Sequence, residues 1–285
     1  MDPELDQYRK VVREEWTNND TVAAWARWHA KITAQQVNMR EALIQQARLE
    51  PGMRVLELAC GTGDPALEIA RRVGPNGHVT ATDLSPQMLE ECRKNAAAAG
   101  IANMDFAVAD AENLQFGSAS FDRVTSRLGA MYFVDVQRAF AEIQRVLAPG
   151  GIVTLQVWGL PDESPYFMNA AGPFMRRLSP PPPPDDAPTP LRFAPHGKLV
   201  DALTAAGFRD AREDRRRMVL PWPGPPSELW QHLYDIAVPL RPLFDGLSGA
   251  ERSAAIGESI AGYASYYDGT TVNVPASIVT VSARI

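Results

Sequence analysis

Apolar positions along the chain follow two different periods. In "TVAAWARWHAKITAQQVNMREALIQQARL", Val22, Trp25, Ala26 and His29 recur at helical spacing, and no proline follows Pro3 within residues 1–50, so this stretch reads as helical. From residue 53 the period shortens. Strand-like runs "MRVLELA" (53–59), "HVTATD" (78–83), "MDFAVAD" (104–110), "FDRVTS" (121–126) and "GIVTLQVW" (151–158) appear, and helices are predicted between them over 65–73, 85–99 and 135–147. Such alternation predicts a parallel sheet with helices on both faces. Ser85-Pro86 reads as an N-cap followed by proline at the first helical position, and Pro149-Gly150-Gly151 reads as a helix end turning into a strand.

After Trp158 the pattern breaks. Residues 161–195, "PDESPYFMNAAGPFMRRLSPPPPPDDAPTPLRFAP", read as irregular, with the proline run 180–184 as a stiff connector. "HGKLVDALTAAGF" (196–208) restores a helix, followed by a strand through "RRRMVL" (215–220). A second irregular insertion, 221–275, contains a helical stripe of Trp230, Leu233, Tyr234 and Ala237, and "ASIVTVSARI" (276–285) closes the chain as an alternating strand. Two late strands without a crossover helix between them predict an antiparallel hairpin at one edge of the sheet.

Composition narrows the class of ligand. The formal net charge of −6 disfavours a nucleic-acid partner, and the basic stretch "FRDAREDRRRMVL" (208–220) interleaves its arginines with Asp210, Glu213 and Asp214, as a solvated strand edge does. Two cysteines, Cys60 and Cys92, and four dispersed histidines supply no metal site. The polar opening "MDPELDQYRKVVREEW" has no secretory signal, no apolar run spans a membrane, and a cytoplasmic location is expected.

The chemistry concentrates in "VLELACGTGDPALEIA" (55–70). Gly61, Gly63 and Ala66 match the G-x-G-x-x-G/A spacing of dinucleotide-binding loops, with Asp83 twenty residues beyond Gly63, so a nicotinamide oxidoreductase is one reading. Against it, Asp64 stands at a predicted helix N-terminus where a pyrophosphate would need free N–H groups. Glu57 and Asp110 add acids to the same crevice, and a cationic ligand is expected there.

Taken together, "VLELACGTGD", "VTATDLS", "VADAENLQF" and "RVLAPGGIVTLQVWG" resemble, in order and spacing, the successive motifs of class I S-adenosyl-L-methionine (SAM)-dependent methyltransferases, with greatest similarity to the ubiquinone/menaquinone-type small-molecule branch. The resemblance covers about residues 50–159 and extends weakly through "LVDALTAAGF" and the last strands. It implies an α/β, Rossmann-like, seven-stranded and mostly parallel sheet with an antiparallel edge strand. SAM would be the cofactor and S-adenosylhomocysteine (SAH) the product. By the same resemblance Glu57, Ala59, Gly61 and Gly63 form the methionine-side loop, and Asp83 takes the ribose hydroxyls. Leu84 and Met88 pack on the adenine, while Asp110 binds its amino group with Ala111 and Glu112 alongside. Arg127 and Gly129 fall where the family holds the methionine end with main chain, although the family usually has a smaller residue in place of Arg127.

An acceptor hydroxyl needs a base, for which His29, His232 and Tyr234 are candidates, with His196 and Tyr263, Tyr266 and Tyr267 behind them. The N-P-P-Y-type tetrad of base methylation is absent, "SRLG" (126–129) occupying its place. The expected acceptor is a small aromatic or polyketide-like metabolite under a lid. Residues 1–50 form that helical lid in this reading, over a domain at 51–285 with lid insertions at about 160–195 and 221–275. A homodimer through the aromatic insertions competes with the lid. A third reading has the fold bind SAM for regulation or a reaction other than methyl transfer.

Overall fold

In the computed structural model, which describes residues 3–285, three helices open the chain: α1 (Pro3–Thr17), α2 (Asn19–Gln35) and α3 (Val37–Ala47). Asn18 separates the first two because its side-chain oxygen accepts the backbone N–H of Asp20 at 2.8 Å, capping α2. Met1 and Asp2, the start of the polar opening, lie outside the described residues. The alternating core follows as β1 (Arg54–Leu58), α4 (Ala66–Val73), β2 (His78–Asp83), α5 (Pro86–Ala98), β3 (Met104–Val108), β4 (Phe121–Arg127), α6 (Val136–Val146) and β5 (Leu147–Trp158). Ser85 caps α5 as its sequence predicts, its hydroxyl accepting Met88 N–H at 3.3 Å with Pro86 in the first turn. Pro149, Gly150 and Gly151 differ from expectation in lying within β5, which already pairs with β4 at Leu147 opposite Phe121 before a register shift.

The remaining elements are α7 (Pro165–Leu178), α8 (Lys198–Ala205), β6 (Arg209–Trp222), α9 (Pro226–Ile236), α10 (Arg241–Asp245), α11 (Gly249–Ala264) and β7 (Val272–Arg284). The stretch 161–195 is therefore not irregular throughout, since α7 occupies its first half. Its apolar stripe Tyr166, Phe167, Ala170, Ala171 and Phe174 is buried against the sheet and α11. Pro165 sits harmlessly in the first turn, and tertiary burial of the stripe outweighs the helix-breaking Pro173. Only after α7 does the proline run 180–184 continue, without regular structure and exposed.

The sheet order is β3-β2-β1-β4-β5-β7-β6. Neighbours from β3 to β5 pair in parallel, whereas β7 runs antiparallel to both β5 and β6, giving the expected terminal hairpin. Strand β1 is central, with Leu56 paired to Thr80 on one side and Val124 on the other. Val55, Leu56, Val79, Ala81, Val124 and Val153 are all completely buried, because helices cover both faces. Strand order reverses at β1, so the carboxyl ends of β1, β2 and β4 open into one crevice, the position where parallel sheets bind ligands. Among the described residues no helix is long and apolar enough to cross a membrane.

Candidate functional site

The crevice is the floor of a large cavity. The loop after β1 turns through left-handed backbone at Ala59 (φ 55°) and Gly61 (φ 52°), and a β-carbon built on Gly61 would meet no atom within 4 Å. At Gly63 (φ 118°) the same atom would lie 2.3 Å from Leu67 Cδ1. Gly61 thus keeps backbone accessible to a ligand, while Gly63 lets the loop pack on α4. Gly63 lies in a neighbouring groove and not in the cavity wall.

Asp83, at the end of β2, stands in the cavity wall and secures the loop: Oδ2 accepts Gly61 N–H at 2.9 Å and Oδ1 accepts Ser85 N–H at 2.9 Å. Burial raises its pKa against the pull of those donors. Leu84, Met88, Asp110, Ala111 and Ala59 also line the cavity. Two acids do not behave as expected. Glu57 is completely buried beneath the loop, outside the lining; it accepts a hydrogen bond from Thr125 Oγ1, its Oε1 has no partner among the described residues, and burial pushes its pKa up to about 7. Glu112 does line the cavity, but its carboxylate is taken by Arg9 at 2.8 Å and by the backbone N–H groups of Val134 and Asp135, each at 2.9 Å, so it joins α1 to the core.

The expected free acid at Asp64 is also corrected. Arg40 Nη1 reaches Asp64 Oδ1 at 2.9 Å and Arg127 Nη1 reaches Oδ2 at 2.8 Å, so two guanidinium groups surround one carboxylate and this end of the crevice is not acidic. Arg127 is thereby a partner of the glycine loop as well as part of the cavity wall.

The three candidate bases separate sharply. His29 on α2 lines the cavity, its Nδ1 lies 2.8 Å from Thr62 Oγ1, and burial lowers its pKa below the ordinary 6.5, which keeps the imidazole neutral. His232 is completely buried and stacked on Trp222 at 4.4 Å, with no partner at either nitrogen among the described residues; burial, helped by Lys31, pushes its pKa down to about 3. It is a packing residue. Tyr234 points away from the cavity and donates to Asp245 at 2.9 Å, so it too leaves the candidate list. Cys60 is buried beside Cys92, and its contact with that thiol, together with burial, raises its pKa, which makes it a packed and unreactive side chain.

Above the crevice the cavity becomes aromatic. Trp16 of α1, Trp25 of α2, Tyr132 in the turn after β4, Trp158 at the end of β5 and Phe167 of α7 all contribute. Trp16, Tyr132 and Trp158 reach the site because the fold brings their distant segments together. Helix α2 is held in place from its other side, where Trp28 Nε1 donates to Asp235 at 2.9 Å and Arg27 and Lys31 pair with Asp235 and Glu228 of α9.

Comparison with known proteins agrees with this geometry. Residues 55–151 match the family model of the methyltransferase domain. The chain is 44% identical over 108 residues to the ubiquinone/menaquinone biosynthesis C-methyltransferase UbiE of Bordetella avium (strain 197N), covering 38% of this chain and 42% of that protein. It is 36% identical over 115 residues to a demethylmenaquinone methyltransferase of Listeria monocytogenes serotype 4a (strain HCC23), covering 40% and 48%. The chain thus spans less than half the length of these curated relatives. Among solved structures, the YcgJ protein of Bacillus has a TM-score of 0.56 at 18% identity, covering 87% of this chain and 98% of that one. The [4+2]-cyclase SpnF has a TM-score of 0.53 at 23% identity, covering 87% and 80%, a likeness of fold alone.

Residues 55–151 thus match a methyltransferase domain, and the fold and the glycine loop agree with that match. Among methyltransferases the chain is similar to the ubiquinone/menaquinone branch. This displaces the nicotinamide reading of the G-x-G-x-x-A spacing.

Proposed function

We propose that the protein transfers a methyl group from SAM to a small, largely apolar acceptor bearing an aromatic or polyketide-like skeleton. The observation that carries this reading is the continuity of one cavity, which runs from the loop and Asp83 at its floor to Trp16, Trp25 and Phe167 at its roof. A cofactor and an apolar acceptor can share such a space.

The residues present fit SAM. The open turn at Gly61 permits close backbone approach, Asp83 offers carboxylate oxygens beside it for a ribose diol, and Leu84 and Met88 supply an apolar wall for adenine, with Asp110 at its edge. When bound, SAM supplies a methyl group on a sulfonium, an electrophile that already has a good leaving group. The chain then has to align the acceptor, exclude water and remove a proton. The helical segment 1–50 acts as the lid in this reading, since α1 and α2 wall the upper cavity. His29 is the proton acceptor in this reading: a neutral ring that donates through Nδ1 to Thr62 Oγ1 keeps a lone pair on Nε2.

Incubation with SAM and a panel of hydroxylated aromatic and polyketide compounds tests the reading, with SAH and methylated product followed by mass spectrometry. SAH formed together with a product heavier by one methylene is expected. Tight SAH binding without turnover on any acceptor would instead favour a scaffold that binds SAM for another reaction.

A further inference from the structure

Tyr166 of α7 and Tyr263 of α11 are neighbouring phenols that the fold treats differently. Tyr263 is completely buried, and its hydroxyl donates to the backbone oxygen of Tyr166 at 2.6 Å. Tyr166 is 1% exposed and stacked on Trp158 with ring centres 5.6 Å apart, yet its own hydroxyl has no partner among the described residues. That hydroxyl is not sealed off as the unpartnered polar atoms of the core are, and Tyr166 lines the cavity. The small surface left to this side chain therefore includes its polar end, and it opens on the cavity. Burial raises the pKa of the phenol, so it keeps its proton and can donate.

A second group of this kind comes from the junction of α2 and α3. Gln36 is 2% exposed and lines the cavity; its carboxamide has no partner among the described residues but remains open, whereas both polar atoms of the adjacent Gln35 are sealed. The two groups flank one place. Gln156 and Trp158, two residues apart, project from the same face of β5, and Gln156 Nε2 donates to the backbone oxygen of Met39 at 3.0 Å. The first turn of α3 is thereby pinned to the face of β5 that carries Trp158, with Tyr166 stacked upon it. Open polar groups in an otherwise apolar wall are what fix the orientation of a bound small molecule.

The structure assigns Tyr166 and Gln36 as the polar anchors of the methyl acceptor, the phenol and the carboxamide N–H donating to an oxygen carried on an otherwise apolar skeleton. This rests on the methyl-transfer reading and narrows its substrate class to acceptors that bear a keto or hydroxyl oxygen, with Trp158 and Phe167 as the apolar wall beside it. Strand β5 lies two places from β1 in the sheet, about 10 Å away. The anchored oxygen is thus held on the β5 side of the cavity, apart from the glycine loop and Asp83, which leaves another part of the acceptor to meet the methyl donor.

The test uses 1-tetralone and tetralin, which differ by a carbonyl in place of one methylene, in equilibrium dialysis against the full chain with and without SAH. The ratio of the two affinities reports recognition of the oxygen. Tyr166→Phe keeps the ring on Trp158 and deletes the hydroxyl, and Gln36→Met keeps the length and deletes the amide. Each variant is expected to lower the ketone-to-hydrocarbon ratio by up to about tenfold, the worth of one good hydrogen bond, while tetralin binds as in wild type and SAH within about twofold. Neither substitution breaks a side-chain hydrogen bond within the chain, so ligand-free melting temperatures should be unchanged or raised. A ratio unchanged in either variant, as when water alone serves these groups, overturns the assignment, and so does a clear fall in the melting temperature of Tyr166→Phe. A wild type that does not bind SAH removes the methyl-transfer reading, while the ratio measured without SAH still decides whether the two residues recognise an oxygen.

Discussion

Arg127 Nη1 lies 2.8 Å from Asp64 Oδ2, and Nη2 of the same arginine donates to the backbone oxygen of Asp64 at 2.7 Å. The end of β4 is thus tied to the residue that follows the glycine loop. Both side chains are under one-tenth exposed, which makes the pair costly to break from one side. Arg127→Met is expected to lower stability by about 3 kcal/mol, near the lower end for a buried pair because Arg40 still faces Asp64. Urea denaturation measures it, and a loss as small as that from removing exposed Arg93 would show that the pair contributes little.

Asp83 holds Gly61 and Ser85 through its two oxygens and borders the cavity. Asp83→Asn retains the shape and one acceptor but loses the charge, so SAH affinity should fall by about 1.5–3 kcal/mol, the scale of one charged hydrogen bond. Calorimetric titration with SAH, beside a melting curve that verifies folding, gives the answer. Equal affinity in variant and wild type would remove Asp83 from the cofactor site.

His29 has to be neutral to accept a proton, and burial places its pKa below 6.5. Turnover should therefore be flat above about pH 7 and decline on the acid side with an apparent pKa under 6.5. His29→Gln should reduce kcat by about 10²- to 10⁴-fold and abolish that acid limb. A variant with the wild-type pH profile would exclude His29 as the base.

His232 acts on stability instead. Its imidazole titrates near 6.5 when unfolded but is held down to about 3 by burial in the fold. Between those values the unfolded chain takes up a proton that the folded chain refuses, so this contribution is present above pH 6.5 and is lost as pH falls toward 3. His232→Phe, which keeps a ring against Trp222, should lose less stability than wild type across that window. Parallel denaturation curves at each pH would contradict the packing assignment.

The floor of the site was legible in sequence and the roof largely was not. Strands β1 to β5 announce themselves as short apolar-rich runs alternating with helical segments, and Gly61 and Asp83 sit at fixed distances from those runs. Long-range pairing leaves no such mark. Arg40 and Arg127 meet Asp64 from 24 and 63 residues away, so an acid that seemed free in the sequence is neutralised by partners only the fold supplies. In α7 the apolar stripe was present, but Pro165, Gly172 and Pro173 obscured its period. On α9, His232 and Leu233 differ by a single position, about 100° of helix rotation, and that turn separates a core side chain from one that lines the cavity.

The charged strand β6 forms one free edge of the sheet, where unpaired backbone groups could recruit the edge of another molecule. Eight of its first nine residues, Arg209 to Arg217, are charged. Pairing this edge with its own copy would bury these arginines and acids at the seam, at a desolvation cost. The sheet is therefore closed to growth by electrostatics where no element covers it, which guards concentrated protein against fibrous association and leaves any homodimer to a different face.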